Sequence, residues 1–295
     1  MTFTGTIPDL GVLVGYDGSP GGERALAWAA RTAADAKTPL YIAMAIPSGS
    51  LGHRKDAVPL RAGARQLVET AAAAVRDTYP HLVVETTLPE GPAADVILET
   101  GRRAGLIVVG SRGHGGFVGL VLGSVSLRVC AQATCPVVVV PESVSTAGHK
   151  DIVVGVADGA PTAAVDFAVA QARRTGGDVI ALRAWTLPLT AFGPGLVPPV
   201  IDDTEQIADG QRTLLDDILR PVRARAHDVA IESVVRTGSA ASELIELAAA
   251  AALVVVSAHR GRSAFPMRIG PTTHAVLHHA PCPVAVVPVP HESRG

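Results

Sequence analysis

The 295-residue sequence predicts an α/β protein of two repeated doubly wound domains, each a five-stranded parallel sheet with helices on both faces. Three observations predict it. Apolar runs bounded by turn residues alternate with stretches of helical period, the pattern of parallel strands joined by helical crossovers. Some of these runs, such as "VVVV" at 137–140, are apolar at every position, as strands buried on both faces are. The whole series also occurs twice. "GVLVGYDGSP" from Gly11 returns as "DIVVGVADGAP" from Asp151, and "VVETTLPEGPAADVILE" from Val83 returns as "AIESVVRTGSAASELIE" from Ala230. "LIVVG" from Leu106 returns as "LVVVS" from Leu253, and "ATCPVVVVP" from Ala133 as "APCPVAVVP" from Ala280. A repeat of this length is domain-sized, so the reading is two homologous domains, 1–145 and 146–295, meeting in the polar, small-residue segment 142–150. The second copy is the longer, with its extra residues in the Pro/Gly-rich stretch Leu187–Pro199.

Each element of the first copy has a local reason. Val12–Tyr16 is a short apolar run that ends in "DGSP", hence a strand and a turn. Ser19 is placed to cap the following helix and Pro20 suits its first turn, where a missing N–H costs nothing. Leu26, Ala29, Ala30 and Ala33 then recur at helical spacing. "PLYIAMAIP" is a second strand, and Leu67, Val68, Ala71, Ala74 and Val75 mark one face of a second helix. "HLVVETTLP" is a strand, "AADVILETGRRA" a helix, "GLIVVG" a strand, "SVSLRVCAQA" a helix and "PVVVVP" the fifth strand. In a doubly wound sheet ligands sit at the carboxyl ends of the strands.

Composition narrows the function classes. A net charge of −2 gives no support to a nucleic-acid partner, for which a basic face is expected. No apolar run approaches the ~20 residues that cross a bilayer, so no membrane partner is expected. The first residues lack the basic start, apolar stretch and cleavage site of a signal peptide. Cys130, Cys135 and Cys282 form neither a disulfide framework nor a metal-ligand spacing, so a cytoplasmic location is expected.

The chemistry concentrates in "VVGSRGHGGFVGLVLGSVS", Val108–Ser126, a Gly-rich turn between the fourth strand and a helix. Glycine weakens a backbone by its entropy, so a run of them needs a reason. A turn leading to a helix N-terminus exposes several N–H groups with positive partial charge, a setting suited to phosphate. Gly110 and Gly113 let backbone approach an anion, Gly115 and Gly116 let the loop bend over it, and Gly123 closes the turn. Ser124 is placed to cap the helix and to donate its hydroxyl to a phosphate oxygen. A Walker-type "GxxxxGK[ST]" and a dinucleotide "GxGxxG" are both excluded by the spacing.

That spacing (Gly110, two residues, Gly113, nine residues, Gly123, Ser124) resembles the nucleotide-binding signature of the universal stress protein family. "VGYDGS" at the first strand end, "GSVS" after the loop and "CPVVVVP" at the end of the copy agree with it, and the resemblance covers nearly the whole chain as a tandem pair. It implies an ATP-binding regulator or sensor in stress response, with phosphates and ribose on the glycine loop and adenine near the first two strand ends. By position, Asp17 would hydrogen-bond the nucleoside, Gly15 would give it room, and Ala45 would line the base. Ser111, Arg112 and His114 would lie in the loop and Val125 would offer a backbone N–H. The implied cofactor is ATP, with or without Mg²⁺.

The second copy departs from this pattern. Ser257 replaces the first glycine, Arg260 the second and Pro271 the serine, while Gly270 keeps the third. Arg260 puts a side chain where backbone should meet phosphate, and Pro271 removes a donor at the helix start. Ala157 stands opposite Asp17 unless a one-residue shift brings in Asp158. Two readings stay open: loss of the nucleotide, with one ATP per chain in the first half, or a weak second site. Gly155, Asp158, Ala184, Ser257, Arg260, Gly261 and Gly270 are its candidate residues, with Arg260, Arg262 and Arg268 supplying charge in place of backbone.

Other features have plainer readings. His274 and His278 share a helix face but lack a placed third ligand. Cys135 and Cys282 read as small apolar residues, and Trp28 and Trp185 as packing. The alternative to a regulator is a slow ATPase or phosphotransferase, against which stands the lack of Mg²⁺-binding carboxylates, a loop lysine and a placed general base. A third reading is an assembly scaffold. In it "PVVVVP" and "PVAVVP" are edge strands that pair across a pseudo-twofold within the chain or between copies in a homodimer.

Overall fold

The computed structural model describes residues 11–47, 54–113, 122–142, 148–157, 162–186, 204–259 and 269–289; the side chains of 54–58, 204 and 259 lie outside that description. The elements follow the expected alternation. In the first copy they are β1 (Val12–Gly15), α1 (Pro20–Ala36), β2 (Leu40–Ala43), α2 (Arg54–Thr78), β3 (Val84–Thr87), α3 (Ala93–Thr100), β4 (Leu106–Gly110), α4 (Ser124–Gln132) and β5 (Val137–Val140). In the second they are β6 (Ile152–Gly155), α5 (Ala163–Thr175), β7 (Val179–Trp185), α6 (Thr204–Arg223), β8 (Ile231–Thr237), α7 (Ala240–Ala248), β9 (Leu253–His259), α8 (Pro271–His279) and β10 (Val284–Val289).

The chain divides into two compact units. In the first, the strands of the first copy run in the order β3-β2-β1-β4-β5, parallel to one another, with Val12 beside Leu40 on one flank and Leu106 on the other. The strand order reverses direction after β3. Right-handed crossovers therefore put α1 and α2 on one face and α3 and α4 on the other. Leu13, Leu40, Ile42 and Ile107 are fully buried between these layers. Parallel strands covered on both faces have no solvent side, which is why the runs read as apolar throughout.

The second unit holds β9-β6-β7-β8, again parallel, around Ile152, Leu182, Leu215, Leu219 and Leu244. Each copy supplies five strands, β1–β5 and β6–β10, as expected. β10, the fifth strand of the second copy by sequence, belongs to the first unit, where it lies antiparallel on β5. Its partners there are Val139 for Val284, Val138 for Ala285 and Val137 for Val286. Among the described residues, six of these ten strands group with the first unit and four with the second. The physical reason is edge protection: an exposed all-valine strand presents unpaired N–H and C=O groups, and pairing removes them.

Candidate functional site

β1 and β4 lie side by side, yet their following helices, α1 and α4, leave on opposite faces. Such a switch point opens a crevice at the carboxyl ends of the strands. The crevice here is a cavity of about 400 Å³, within the range of small-molecule sites. Of the sequence-predicted residues, Gly15, Asp17, Ala45, Gly110, Arg112, Gly113, Gly123, Ser124 and Val125 line it. Ser111 does not. It is buried behind the wall, where its N–H donates to the Val140 carbonyl (2.8 Å) and its own carbonyl accepts from Gly123 N–H (2.7 Å). His114, Gly115 and Gly116 lie outside the described residues.

Tyr16, Gly22, Ala43, Pro47, Ala93, Ile97, Val109 and Ser126 also line the cavity, and the sequence reading did not select them. Tyr16, Gly22 and Ser126 had a signal, since they sit inside or beside motifs already read. Ala93 and Ile97 had a fainter one: they start the helix after β3, and every strand-to-helix turn of a doubly wound sheet opens at the same end.

One wall is built from the start of α1. Ser19 caps it as expected, its Oγ accepting from Gly22 N–H at 3.0 Å. Asp17 is held by the same residue: one carboxylate oxygen accepts from Ser19 N–H (3.0 Å) and from Ser19 Oγ–H (2.6 Å). The glycines explain the close approach of the loop. A Cβ on Gly113 would stand 2.3 Å from the other Asp17 oxygen, and one on Gly110 would stand 2.7 Å from the backbone of Gly21. A Cβ on Gly21 would in turn meet the Arg112 carbonyl at 2.4 Å. Gly110 and Gly113 therefore satisfy protein packing as well as any ligand, which the reading from spacing alone did not include.

The opposite wall is the start of α4. Here one expectation is corrected: Gly123, not Ser124, is the N-cap, without a side-chain hydrogen bond. Ser124 is the first helical residue and exposed, because the backbone turn at Gly123 already carries the chain from strand to helix. Ser126 is the serine that is used, donating from Oγ to the Gly110 carbonyl at 2.6 Å. The amides of Ser124, Val125 and Ser126 have no carbonyl within the helix to accept them, and all three residues face the cavity. At nine residues α4 carries a partial positive charge at this end.

Charge at the mouth comes from Arg112. Its guanidinium reaches the Glu142 carboxylate, just past β5, at 3.4 Å, and both side chains are partly exposed. Its Nε is buried and has no hydrogen-bond partner among the described residues. Tyr16 donates its phenol to Glu23 on α1; burial, with this acceptor and its charge adding, pushes the phenol well above its ordinary range. On the far side Ala43, Ala45, Pro47, Ala93, Ile97 and Val109 give an apolar surface.

The second copy is built differently at the corresponding places. Ser257 brings a side chain to the strand end where the first copy has Gly110, and its Oγ is buried with no partner among the described residues. α5 begins at Ala163 after Thr162, with no Gly-Gly pair and no side-chain cap. Gly155 and Ala184 end β6 and reach the end of β7, Gly270 precedes Pro271 at the start of α8, and Asp158, Arg260 and Gly261 lie outside the described residues. Burial pushes the thiols of Cys130 and Cys282 up to about 12 and that of Cys135 to about 11, so none is a ready thiolate at neutral pH. No group of three or more metal-ligating side chains occurs among the described residues, nor a helix long and apolar enough to cross a membrane.

Comparison with known proteins agrees along the whole chain. The model of the universal stress protein family matches residues 11–141 and again 148–288. The chain is 32% identical over 314 residues to a universal stress protein of Mycobacterium tuberculosis, covering 96% of each. It is 31% identical over 293 residues to one of Mycolicibacterium smegmatis, covering 95% of this chain and 97% of the other. Among solved structures, a universal stress protein from Archaeoglobus fulgidus superposes with a TM-score of 0.71 at 16% identity, covering 94% of this chain and 98% of that one, which shows the shared fold.

Proposed function

The chain belongs to the universal stress protein family, and from that premise we propose that its N-terminal copy binds ATP in the cavity between β1 and β4. The protein then acts as a nucleotide-dependent regulator in stress response. The observation that carries the reading is the start of α4 on the cavity wall, where the first-turn amides have no acceptor within the helix and Arg112 stands beside them. A phosphate oxygen supplies what the amides lack.

The other walls fit the rest of a nucleotide. Asp17, oriented by Ser19, accepts from sugar hydroxyls, and Ala45, Pro47 and Ile97 give an apolar bed for a base. Asp17 is the only carboxylate on the cavity wall among the described residues, and one of its oxygens is already engaged by Ser19. Such a wall suits Mg²⁺ carried on the ligand's own phosphates, not a protein cage. It also gives no set of groups for phosphoryl transfer, which favours a regulator over an ATPase. Regulation requires that two states of the protein bind the nucleotide unequally.

Two measurements test this. Protein denatured directly after purification should release adenine nucleotide, and calorimetry should give one ATP per chain. Asp17→Asn should weaken binding roughly tenfold or more, the scale of a charged hydrogen bond. Two equivalent sites per chain, or an Asp17→Asn variant with unchanged affinity, would refute the proposal.

A further inference from the structure

We propose that Glu142 is an internal competitor for Arg112 and thereby sets how strongly the cavity prefers ligands with more phosphates. The inference rests on the anion-binding reading of the cavity given above. Arg112 lines the cavity, yet its guanidinium is turned to Glu142, at 3.4 Å. That length is beyond a good charge-assisted hydrogen bond, and the Nε of the same group is left buried without an acceptor among the described residues. Among the described residues the guanidinium is thus held by one long contact, with no acceptor at Nε.

A part-exposed ion pair of this kind contributes little, about 0–1 kcal/mol. A ligand oxygen that reaches the guanidinium can therefore take it from Glu142 at small cost. What remains is the carboxylate, now unpaired at the mouth and repelling the ligand. Its repulsion grows with ligand charge, and so does the attraction of Arg112. Glu142 holds affinity down for all anions, and removing it should help the most highly charged ones most. Glu142 also directly follows Pro141 at the end of β5, so exchange of its partner is felt where the first copy ends.

The experiment is calorimetry on the full chain with AMP, ATP and inorganic tripolyphosphate, at low and at physiological salt. Wild type, Glu142→Gln, Arg112→Gln and the double variant are compared. Glu142→Gln should tighten ATP and tripolyphosphate about fivefold at low salt, the equivalent of about 1 kcal/mol, and AMP by less; physiological salt should shrink the gain. In the Arg112→Gln background the Glu142→Gln gain should shrink to the part that direct repulsion alone supplies, because there is no guanidinium left to compete for. An equal gain in both backgrounds would reduce Glu142 to a distant charge and overturn the proposal, as would no gain at all. Tripolyphosphate binding with these dependences but no nucleotide binding would overturn the ATP reading and leave the competition standing. Binding of none of the three by wild type and Glu142→Gln would end both.

Discussion

At the residue scale the site turns on Asp17 and the glycine that faces it. A Cβ on Gly113 would sit 2.3 Å from an Asp17 carboxylate oxygen, so a side chain there has to displace that carboxylate. Gly113→Ala should therefore push the Asp17 carboxylate off its rotamer, at a cost of about 0.5–1.5 kcal/mol. In an Asp17→Ala background the same change should cost much less, since the atom it meets is gone. Thermal unfolding of the four proteins decides it; equal costs in both backgrounds would show that Asp17 is not what excludes a side chain. The contact also explains what the sequence could and could not disclose. The glycine spacing was visible, and so was Asp17 at a strand end, but their meeting spans 96 residues of chain (17 to 113) and follows only from the neighbouring positions of β1 and β4. Reading Gly113 as bare backbone for an anion leaves out the room it makes for Asp17. Arg112 was legible as a loop residue, whereas its partner Glu142 was not, because nothing local connects β4's end to β5's.

At the element scale the two helix starts that frame the cavity are held by different devices. α1 uses a side-chain cap, with Ser19 taking the Gly22 amide and fixing Asp17 with its hydroxyl. α4 uses a backbone turn at Gly123 and a serine two residues into the helix, Ser126, tied back to Gly110. Ser19→Ala should remove the first device. Loss of an N-cap costs about 1 kcal/mol, seen as a lower unfolding midpoint, and the freed carboxylate of Asp17 should weaken ATP binding as well. Ser19→Thr, which keeps the hydroxyl, should restore both; an affinity that survives Ser19→Ala would show that Asp17 is positioned by something else. The α1 cap was readable because Ser19 and Pro20 carry its chemistry in consecutive residues. The α4 cap was not: two serines flank Val125, and only the geometry of the preceding turn decides which one is engaged. Strand and helix types were legible almost throughout, since period and apolar runs are local properties.

At the scale of the whole molecule the two copies are not two equal blocks. β10 is sequence from the end of the second copy, yet it completes the sheet of the first unit by pairing with β5. Repeats in the sequence disclosed how many strands there are, and the valine runs disclosed that "PVVVVP" and "PVAVVP" want partners. Which unit each joins depends on tertiary pairing, which a one-dimensional repeat does not encode. The consequence can be tested on a fragment. Residues 1–142 contain β1–β5 but lack β10, so Val137–Val139 lose the strand opposite them and expose a flat, apolar edge. Such edges recruit another strand. The fragment should therefore self-associate through β5 or precipitate, read by light scattering after size exclusion at tens of micromolar, on the order of the concentrations at which exposed edges associate. Adding back β10 through a flexible linker should return it to the oligomeric state of the full chain. A fragment that stays a soluble monomer would mean that β5 tolerates an open edge, and that the antiparallel pairing with β10 is not what keeps the first unit from joining its own kind.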